Sequence, residues 1–472
     1  MEALPDLSKL SHEQKDELIR LLWPLLEEVK QLKARVAEFE ARLAKDSHNS
    51  HKSPSSDVVK KTRSQRVASG RGSGGQPGHK GRGLKRVSTP DTTVEHRLPE
   101  QCACGALLAA TRSDERRQVI DIPVARFEVT EHHTWQARCR CGREHRSEFP
   151  EGVNQRVQYG PNVKALAVHL TQGQLLPLSR SAQLIEQLFG LSMSVATVHA
   201  WIGEAAQRLA PEVERIAQAL MRTPVAHADE SGLRVEASLH WLHTVASHNL
   251  TWYGAHPKRG APAMRAHGIL LKRTGVLVHD CWAPYWHMPG QHALCNAHLI
   301  RELVFVHEST GQTWPQQLIR HLCRARDHCE AARRTQQEAL PGPLRRRIER
   351  RYEAILAQAR TCHPREVQRQ KQRGRVKQSV AFNLLHRLTE HAGEVLRFVT
   401  DLAVPFTNNL GERAIRMPKV KQKVSGSFRT LKGAQDFCTI RSYLDTMIKQ
   451  GHNMFEALRC AFIGRPLSFS TD

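Results

Sequence analysis

The strongest constraint on the fold is a change of pattern near residue 224, where helix-like periodicity gives way to short apolar runs. TPVAHADESGLRV contains an apolar strand that ends in Asp229, and GVLVHDCWAPYW contains one that ends in Asp280. LHWLHTVASHN and LTWYGAHP predict two further strands between them. Either acid alone is more simply explained as a loop residue. Two acids at strand ends are costly without a function, so together they predict a ligand site at the edge of an open α/β sheet.

The two acids favour a hard cation, Mg²⁺ or Mn²⁺, because no softer ligand accompanies them. Two such ions, about 3.5–4 Å apart, activate a water or a 3′-hydroxyl and stabilise the leaving oxygen in phosphoryl transfer. This chemistry normally uses a third acid, for which the candidates are Glu302, Asp327, Asp401 and Glu412. Glu412 begins a predicted helix after TNN, and Glu302, in CNAHLIREL, is the second choice.

The charge balance predicts a polyanionic partner. Seventy Lys and Arg oppose 46 Asp and Glu, a net charge of +24, which favours nucleic acid over a membrane surface. Residues 411–433 hold seven of these bases and one acid, Glu412. The bases predicted to contact DNA phosphates here are Arg413, Arg416, Lys419 and Lys421. A surface salt bridge between Glu412 and Arg413 is the simpler alternative.

Membrane-spanning and secreted classes are not indicated. No run of about 18 apolar residues occurs, so no membrane span is predicted. The first residues lack the basic start and the apolar region of a secretion signal. Eleven mostly scattered cysteines are typical of a reduced cytosolic protein.

The N-terminal region carries a heptad pattern with charged residues between the apolar positions. The apolar positions are Leu18, Leu22, Leu25, Val29, Leu32, Val36, Phe39 and Leu43. Pro24 interrupts the pattern, which predicts that the helix starts or kinks there. A coiled coil between copies of the chain and an amphipathic helix packed on its own protein both remain open.

Residues 51–90 are rich in Gly, Ser and Pro and contain ten Lys or Arg against one acid. Such a composition predicts a flexible basic linker able to lie along phosphates, or a merely soluble tether. The bases that we assign to DNA contact in this region are Lys80, Arg82, Lys85 and Arg86.

Two cysteine pairs follow, QCACG with Cys102 and Cys104 and RCRCG with Cys139 and Cys141. Paired thiolates that are each followed by Gly in a tight turn suit tetrahedral Zn²⁺, and alternating strand-like segments lie between them. The sequence therefore predicts a zinc ribbon, although the spacing is C-x-C instead of the usual C-x₂-C. Four incidental cysteines are the alternative.

Residues 161–222 are predicted to be helical and to contain a helix-turn-helix. Leu184, Ile185 and Leu188 mark one helix face, followed by the Phe189–Gly190 turn. Ser194 is a predicted N-cap, and the inner face of the next helix is predicted to carry Val195, Val198 and Ile202. An ordinary helical hairpin fits the same pattern.

Two groups near Asp280 have less certain roles. Cys295 and His298, at i and i+3, share a helix face and could bind a metal with Cys281, but core packing is the favoured explanation. The aromatic residues Trp282, Tyr285 and Trp286 suit either base stacking or packing over the metal edge.

The blocks HADESG, LVHDCWAPY, CNAHLIREL and NNLGERAIR resemble successive blocks of the DDE transposases typed by insertion sequence 66. The preceding leucine-rich helix, NSHKSPSSD, GGQPGHKG, paired cysteines, VQYGPNVKALAVHL and TVHAW are similar to that family in the same order. The resemblance covers nearly the whole chain. The chain departs from the family in its C-x-C pairs and in Ser231, where the family usually has Thr.

The resemblance implies a ribonuclease-H-like core in which Asp229, Asp280 and Glu412 hold the metal ions. It implies cleavage at the ends of the chain's own mobile element and joining of the 3′-hydroxyl ends to target DNA. The implied partners are double-stranded DNA, further copies of the chain and accessory proteins encoded by the same element, with no membrane. The implied location is the bacterial cytoplasm, in association with the nucleoid.

The predicted architecture is multidomain α+β: a coiled-coil helix, a zinc-ribbon-like module, a helix-turn-helix region and a ribonuclease-H-like α/β core with a helical insertion. The predicted segments are 1–50 (leucine-rich helix), 51–95 (linker), 96–155 (zinc ribbon), 156–222 (helix-turn-helix), 223–446 (catalytic, insertion about 311–400) and 447–472 (C-terminal element). The alternatives are a DNA-binding regulator, a nuclease without strand transfer and an inactive transposase.

Overall fold

The computed structural model describes residues 10–43, 45–46, 48–50, 84–96, 100–108, 116–122, 126–365, 376 and 378–471. This part of the chain is a mixed α+β structure. Its strands are β1 (Gln136–Arg138), β2 (Glu144–Arg146), β3 (Val225–Val235), β4 (Ser238–Ala246), β5 (Thr251–His256), β6 (Val276–His279) and β7 (Gln291–Leu294). Its α-helices are α1 (His12–Leu43), α2 (Pro161–Val168), α3 (Leu178–Phe189), α4 (Val195–Arg222), α5 (Ala261–His267), α6 (Asn296–Thr310), α7 (Trp314–Arg334), α8 (Gly342–Cys362), α9 (Val380–Glu390), α10 (Ala392–Val395), α11 (Arg397–Thr400), α12 (Asn409–Ser425), α13 (Leu431–Lys449) and α14 (Met454–Ile463).

The central sheet has the strand order β5-β4-β3-β6-β7. Strands β3, β4 and β5 form an antiparallel meander, and β6 and β7 run parallel to β3. Glu236 and Ala237 connect β3 to β4 with positive φ angles of 49° and 61°, the geometry of a two-residue type I′ hairpin. The two further strands predicted from the sequence are therefore β4 and β5.

The prediction that the first strand ends at Asp229 is wrong, because β3 continues to Val235. The strand is longer because its two neighbours differ in length. Its parallel pairing with β6 stops at His227, whereas its antiparallel pairing with β4 extends to Val235. Asp229 therefore lies beyond the end of the parallel pairing but inside the strand.

Helices cover both faces of this sheet. On one face, Ala226 and Ala228 pack against Ile216 and Leu220 of α4. On the other face, Leu233 and Val235 of β3 share a core cluster with Phe437 and Cys438 of α13. The alternation follows from the two-residue period of a strand. It also places Asp229 on the second face.

The described residues between 311 and 400 are mostly helical, in α7 to α11. Helices α7, α8 and α9 share one apolar core with Val276 and Val278 of β6. Tyr352 of α8 is fully buried in this core and donates a hydrogen bond of 2.7 Å to the Leu388 carbonyl. These helices therefore pack directly on the sheet beside β6.

Helices α3 and α4 are joined by a turn that begins with Gly190, which has φ of +71°. The predicted N-cap is confirmed, because Ser194 accepts a hydrogen bond from the Thr197 amide. Val198 and Ile202 are buried as predicted, but Leu188 and Val195 are exposed. These two residues flank the turn, where the other described elements leave them uncovered.

Helix α1 runs from His12 to Leu43 through Pro24, so the helix does not start at that proline. From Leu22 onward, the side chains of the heptad positions are exposed. Packing of this face on the rest of the chain is therefore not seen in the described residues. Within the same residues, no helix combines the length and apolar character needed to cross a membrane.

Candidate active site

Asp229 and Asp280 are brought side by side by the parallel pairing of β3 and β6. His227 and Val278 are partners in that pairing, and each acid lies two residues further along its own chain segment. Both acids therefore project from the same face of the sheet. Burial raises the pKa of Asp229 well above its usual value, and the negative charges of Glu230, Asp280 and Glu412 raise it further. Three separate segments thus bring carboxylates into electrostatic reach of Asp229.

Glu412 lies in the first turn of α12, which packs across β3. Asn408, directly before this helix, fixes its start to the strand. The side-chain amide of Asn408 donates to the Ala228 carbonyl at 2.8 Å, and its oxygen accepts from His227 Nδ1 at 2.9 Å. A Cβ at Gly411 would lie 2.9 Å from the Asn408 side-chain oxygen, so glycine permits this close approach. Sequence reasoning missed Asn408, whose only signal is its place in TNNLGE.

The other candidates for a third acid have different partners. Glu302 forms an ion pair with Arg387. Asp327 pairs with Arg326 on the surface at 2.7 Å. Asp401 accepts a hydrogen bond from the Ala403 amide at 2.9 Å within its own loop. Of the four candidates, Glu412 is therefore the one whose charge acts on Asp229.

Glu230 is a buried acid on the opposite face of β3, and sequence reasoning did not assign it a role. It accepts hydrogen bonds from Tyr285 at 2.5 Å and from Arg259 at 2.7 and 3.0 Å. The Arg259 guanidinium lies 4.0 Å above the ring of Trp282. Glu230 thus ties β3 to the segment that follows Asp280. The sequence signal for Glu230 was its position directly after Asp229 in HADESG.

The aromatic residues after Asp280 pack inside the protein. Tyr285 is buried, and Trp282 lies under Arg259. Trp286 stacks on His391 with ring centroids 4.0 Å apart and an interplanar angle of 11°. Of the two predicted roles, these contacts support packing over the acid-bearing edge.

Cys295 and His298 converge on Glu412. The Cys295 sulfur lies 3.8 Å from Glu412 Oε1, and His298 Nε2 lies 3.7 Å from the same oxygen. Within the described residues, these three form the one group of His, Cys, Asp or Glu whose donor atoms all lie within 4.8 Å of one another. Cys281, the possible partner considered from the sequence, is not part of this group, whose third member, Glu412, comes from α12. The alternative ion pair between Glu412 and Arg413 is also not formed in the described chain.

The two C-x-C pairs form matching turns. Cys102 and Cys139 each accept a hydrogen bond of 2.8 Å from the glycine three residues later, Gly105 and Gly142, and both glycines have φ of +89°. A hydrogen bond from a backbone amide lowers the pKa of Cys104 and of Cys139, and the neighbouring cysteine of each pair lowers it further. All four thiols are exposed, and no three of these sulfurs lie within 4.8 Å of one another. The structure therefore forms each pair but does not gather all four.

Comparison with known families decides the identity of the chain. A model described as the transposase IS66 family matches residues 156–436, more than half of the chain. The chain belongs to this transposase family. A model for the zinc-finger binding domain of transposase IS66 matches residues 99–142, and a family of unknown function matches residues 2–85. No curated protein matches the chain.

The zinc-finger match includes Cys102, Cys104, Cys139 and Cys141. Their thiolate chemistry and paired turns fit zinc, so this IS66 transposase carries a zinc-binding, DNA-binding module. The C-x-C spacing is no obstacle to the match.

The basic side of α12 adjoins Glu412. Arg416, Lys419 and Lys423 are exposed and follow Glu412 at i+4, i+7 and i+11, so the helical period places them on its side of the helix. Arg413 is also exposed. Lys421 differs, because its ammonium lies 3.8 Å from the centre of the Phe428 ring and burial lowers its pKa to about 8. Sequence reasoning did not assign Lys423.

The basic linker is only partly described. Lys85 and Arg86 are exposed, whereas Lys80 and Arg82 lie outside the described residues. Their contact with DNA remains a prediction.

Proposed function

We propose that this IS66 transposase binds the terminal inverted repeats of its own insertion sequence, cleaves the DNA there and joins the 3′-hydroxyl ends to target DNA. The observation that carries the proposal is the approach of Asp229, Asp280 and Glu412 from three separate segments. The mixed sheet, with helices on both faces and two acids at the end of a parallel strand pair, supports a ribonuclease-H-like core.

The three acids fit a site for Mg²⁺ or Mn²⁺. They are oxygen ligands, and their mutual repulsion contributes to the raised pKa of Asp229, a cost that a bound divalent ion would offset. Their oxygens do not all lie within 4.8 Å of one another, so the set would leave room for more than one ion. When bound, the ions supply activation of water or a 3′-hydroxyl and stabilisation of the leaving oxygen.

The residues of the chain then have separate tasks. Asp229 and Asp280 would hold the metal ions from the sheet, and Glu412 would hold them from α12. Arg416, Lys419 and Lys423 bind phosphates along the same side of that helix, which places DNA next to the carboxylates. Acid and bases on α12 thus serve one site.

The remaining modules would recognise and pair the element ends. The zinc-finger module and the α3–α4 turn are exposed and can approach DNA, in line with the predicted helix-turn-helix. The exposed heptad face of α1 supports pairing of two copies through a coiled coil. Burial of that face would remove several Leu and Val side chains from water.

The proposal is tested with the purified full-length chain, Mg²⁺ and a plasmid carrying the gene with its native flanking DNA. Asp229→Asn, Asp280→Asn and Glu412→Gln should each reduce strand cleavage by about 10²-fold or more, because each removes a metal ligand. Binding to the flanking DNA should persist in all three. Asp327→Asn is the matched control, since this exposed acid pairs only locally with Arg326 in the described structure.

Wild-type cleavage without joining would favour the alternative of a nuclease without strand transfer. Full activity in Asp229→Asn or Asp280→Asn would refute the proposed centre. Loss of DNA binding in all three variants would instead indicate that the acids maintain the fold.

A further inference from the structure

We propose that Cys295, His298 and Glu412 form a binding site for a borderline-soft divalent metal such as Zn²⁺. The site differs in chemistry from the three-carboxylate centre, with which it shares Glu412. It is also separate from the zinc-finger cysteines, which lie in another module. The inference does not depend on the proposed strand transfer, because it concerns metal binding alone.

The geometry is close to that of a tetrahedral zinc site. With zinc–sulfur bonds of about 2.3 Å and zinc–nitrogen or zinc–oxygen bonds of about 2.0–2.1 Å, neighbouring ligand atoms are about 3.4–3.6 Å apart. The sulfur of Cys295 and Nε2 of His298 lie 3.8 Å and 3.7 Å from Glu412 Oε1. Contraction by a few tenths of an ångström would bring each of these two atoms to ligand distance from Oε1, and the ligand atoms of all three residues already lie within 4.8 Å of one another.

The protein backbone holds the first ligand in place. Cys295 is the N-cap of α6, so His298 follows within the first turn of that helix. The Asn408 amide donates a hydrogen bond of 3.1 Å to the Cys295 sulfur, and the Glu412 amide donates to the Asn408 carbonyl at 3.1 Å. The segment that carries Glu412 is therefore also bonded to the cysteine. Hydrogen bonds of this kind fix the orientation of metal ligands and tune their affinity.

The ligand set selects the class of metal. A thiolate and an imidazole favour Zn²⁺, Co²⁺ or Cd²⁺ over Mg²⁺, which prefers oxygen ligands. Three protein ligands leave a fourth position open, as in zinc sites that accept water or another small ligand. Glu412 is about one-third exposed, so a metal ion can enter from its side although Cys295 is buried. Binding would displace the thiol proton into solvent.

The test uses Co²⁺ as the probe, because cobalt bound to thiolate has a characteristic charge-transfer absorption. The full-length chain would carry Ser in place of Cys102, Cys104, Cys139 and Cys141, which removes the zinc-finger thiolates. We expect this chain to bind one Co²⁺ with thiolate absorption. Cys295→Ser should abolish the absorption, and His298→Asn should weaken the binding by about 10-fold or more.

Cys281→Ser is the matched control and should leave the absorption unchanged. A thermal melt of each variant would show whether it is folded, and His298→Asn provides the second variant should Cys295→Ser be unstable. Absence of thiolate absorption in the background chain, or its persistence in Cys295→Ser, would overturn the inference. Neither outcome depends on strand cleavage, so failure of this site is distinguishable from failure of the proposed function.

Discussion

Asn408 and His227 are joined by a hydrogen bond of 2.9 Å, although 181 positions separate them in the sequence. The same Asn408 side chain donates to the carbonyl of Ala228, the residue directly before Asp229. Glu412 lies one helical turn after Asn408. This one amide therefore sets the position of α12 relative to β3, and with it the separation of two proposed metal ligands.

Asn408→Ala should reduce strand cleavage and raise the Mg²⁺ concentration required for half-maximal rate. The substitution leaves His227 and the Ala228 carbonyl without this partner, which costs about 1–3 kcal/mol, and it releases the start of α12. Asn409→Ala is the matched control, because Asn409 is the same residue type at the next position and is exposed. The measurement is the cleavage rate against Mg²⁺ concentration. An unchanged Mg²⁺ requirement in Asn408→Ala would limit this residue to stability.

Glu302→Gln should keep most of the cleavage activity, whereas Glu412→Gln should lose it. Glu302 is neutralised by Arg387, so its loss should cost about 1 kcal/mol of stability and leave most of the cleavage activity. Glu412→Gln should lower cleavage by about 10²-fold or more, because a metal ligand is lost. Thermal melts and cleavage assays on both variants provide the comparison. The reverse order of activities would move the third ligand to Glu302.

The sequence was sufficient to find features that depend on local pattern. Asp229 and Asp280 follow apolar runs, and Ser194 precedes an amphipathic helix, so short segments identify them. Contacts between distant segments were not accessible in this way. Cys295 and His298 were recognised as a pair on one helix face, but nothing local indicates that Glu412 would reach them from α12. The bond between Asn408 and His227 has the same origin in tertiary packing.

Counting basic residues in the sequence also does not reveal which bases of α12 face solvent and can contact DNA. The sequence grouped Lys421 with Arg416 and Lys419, but the helical turn places it on the side of Phe428.

Arg416→Ala or Lys419→Ala should lower DNA affinity and reduce the slope of log K against log salt by about 1. Lys421→Ala should change this slope less and destabilise the fold by about 1–2 kcal/mol, because it removes a partly buried cation–π contact. Equal slopes for Arg416→Ala and Lys421→Ala would contradict this distinction.

His267 should make the folded state sensitive to acid. Burial, followed by the charges of His243 and His256, lowers its pKa to about 3. This value is below the usual pKa of about 6.5, so the unfolded chain binds the proton more readily. The contribution of neutral His267 to the free energy of unfolding is fully present above about pH 6.5 and is lost as the pH falls towards 3.

His267→Gln should therefore weaken the pH dependence of unfolding. Between pH 7 and pH 4.5 we expect the variant to lose about 2 kcal/mol less stability than the wild type. The melting temperature of each protein at the two pH values provides the measurement. His248→Gln, which alters an exposed histidine, is the control and should behave like the wild type. Identical pH dependence in His267→Gln would show that this ring is not a source of the acid sensitivity.

Zn²⁺ in excess of the amount bound by the zinc finger should slow Mg²⁺-dependent cleavage. The expectation rests on the proposed function and on the Cys295 site together, because both place Glu412 among their ligands. A zinc ion held by Cys295 and His298 would draw the Glu412 carboxylate away from Asp229 and Asp280.

Cleavage rates at fixed Mg²⁺ and rising Zn²⁺ provide the measurement. The His298→Asn variant should need about 10-fold more Zn²⁺ for the same inhibition. Cys362→Ser, which changes an exposed cysteine, should keep the wild-type sensitivity. Equal inhibition of wild type and His298→Asn would assign the effect of Zn²⁺ to direct competition at the carboxylates.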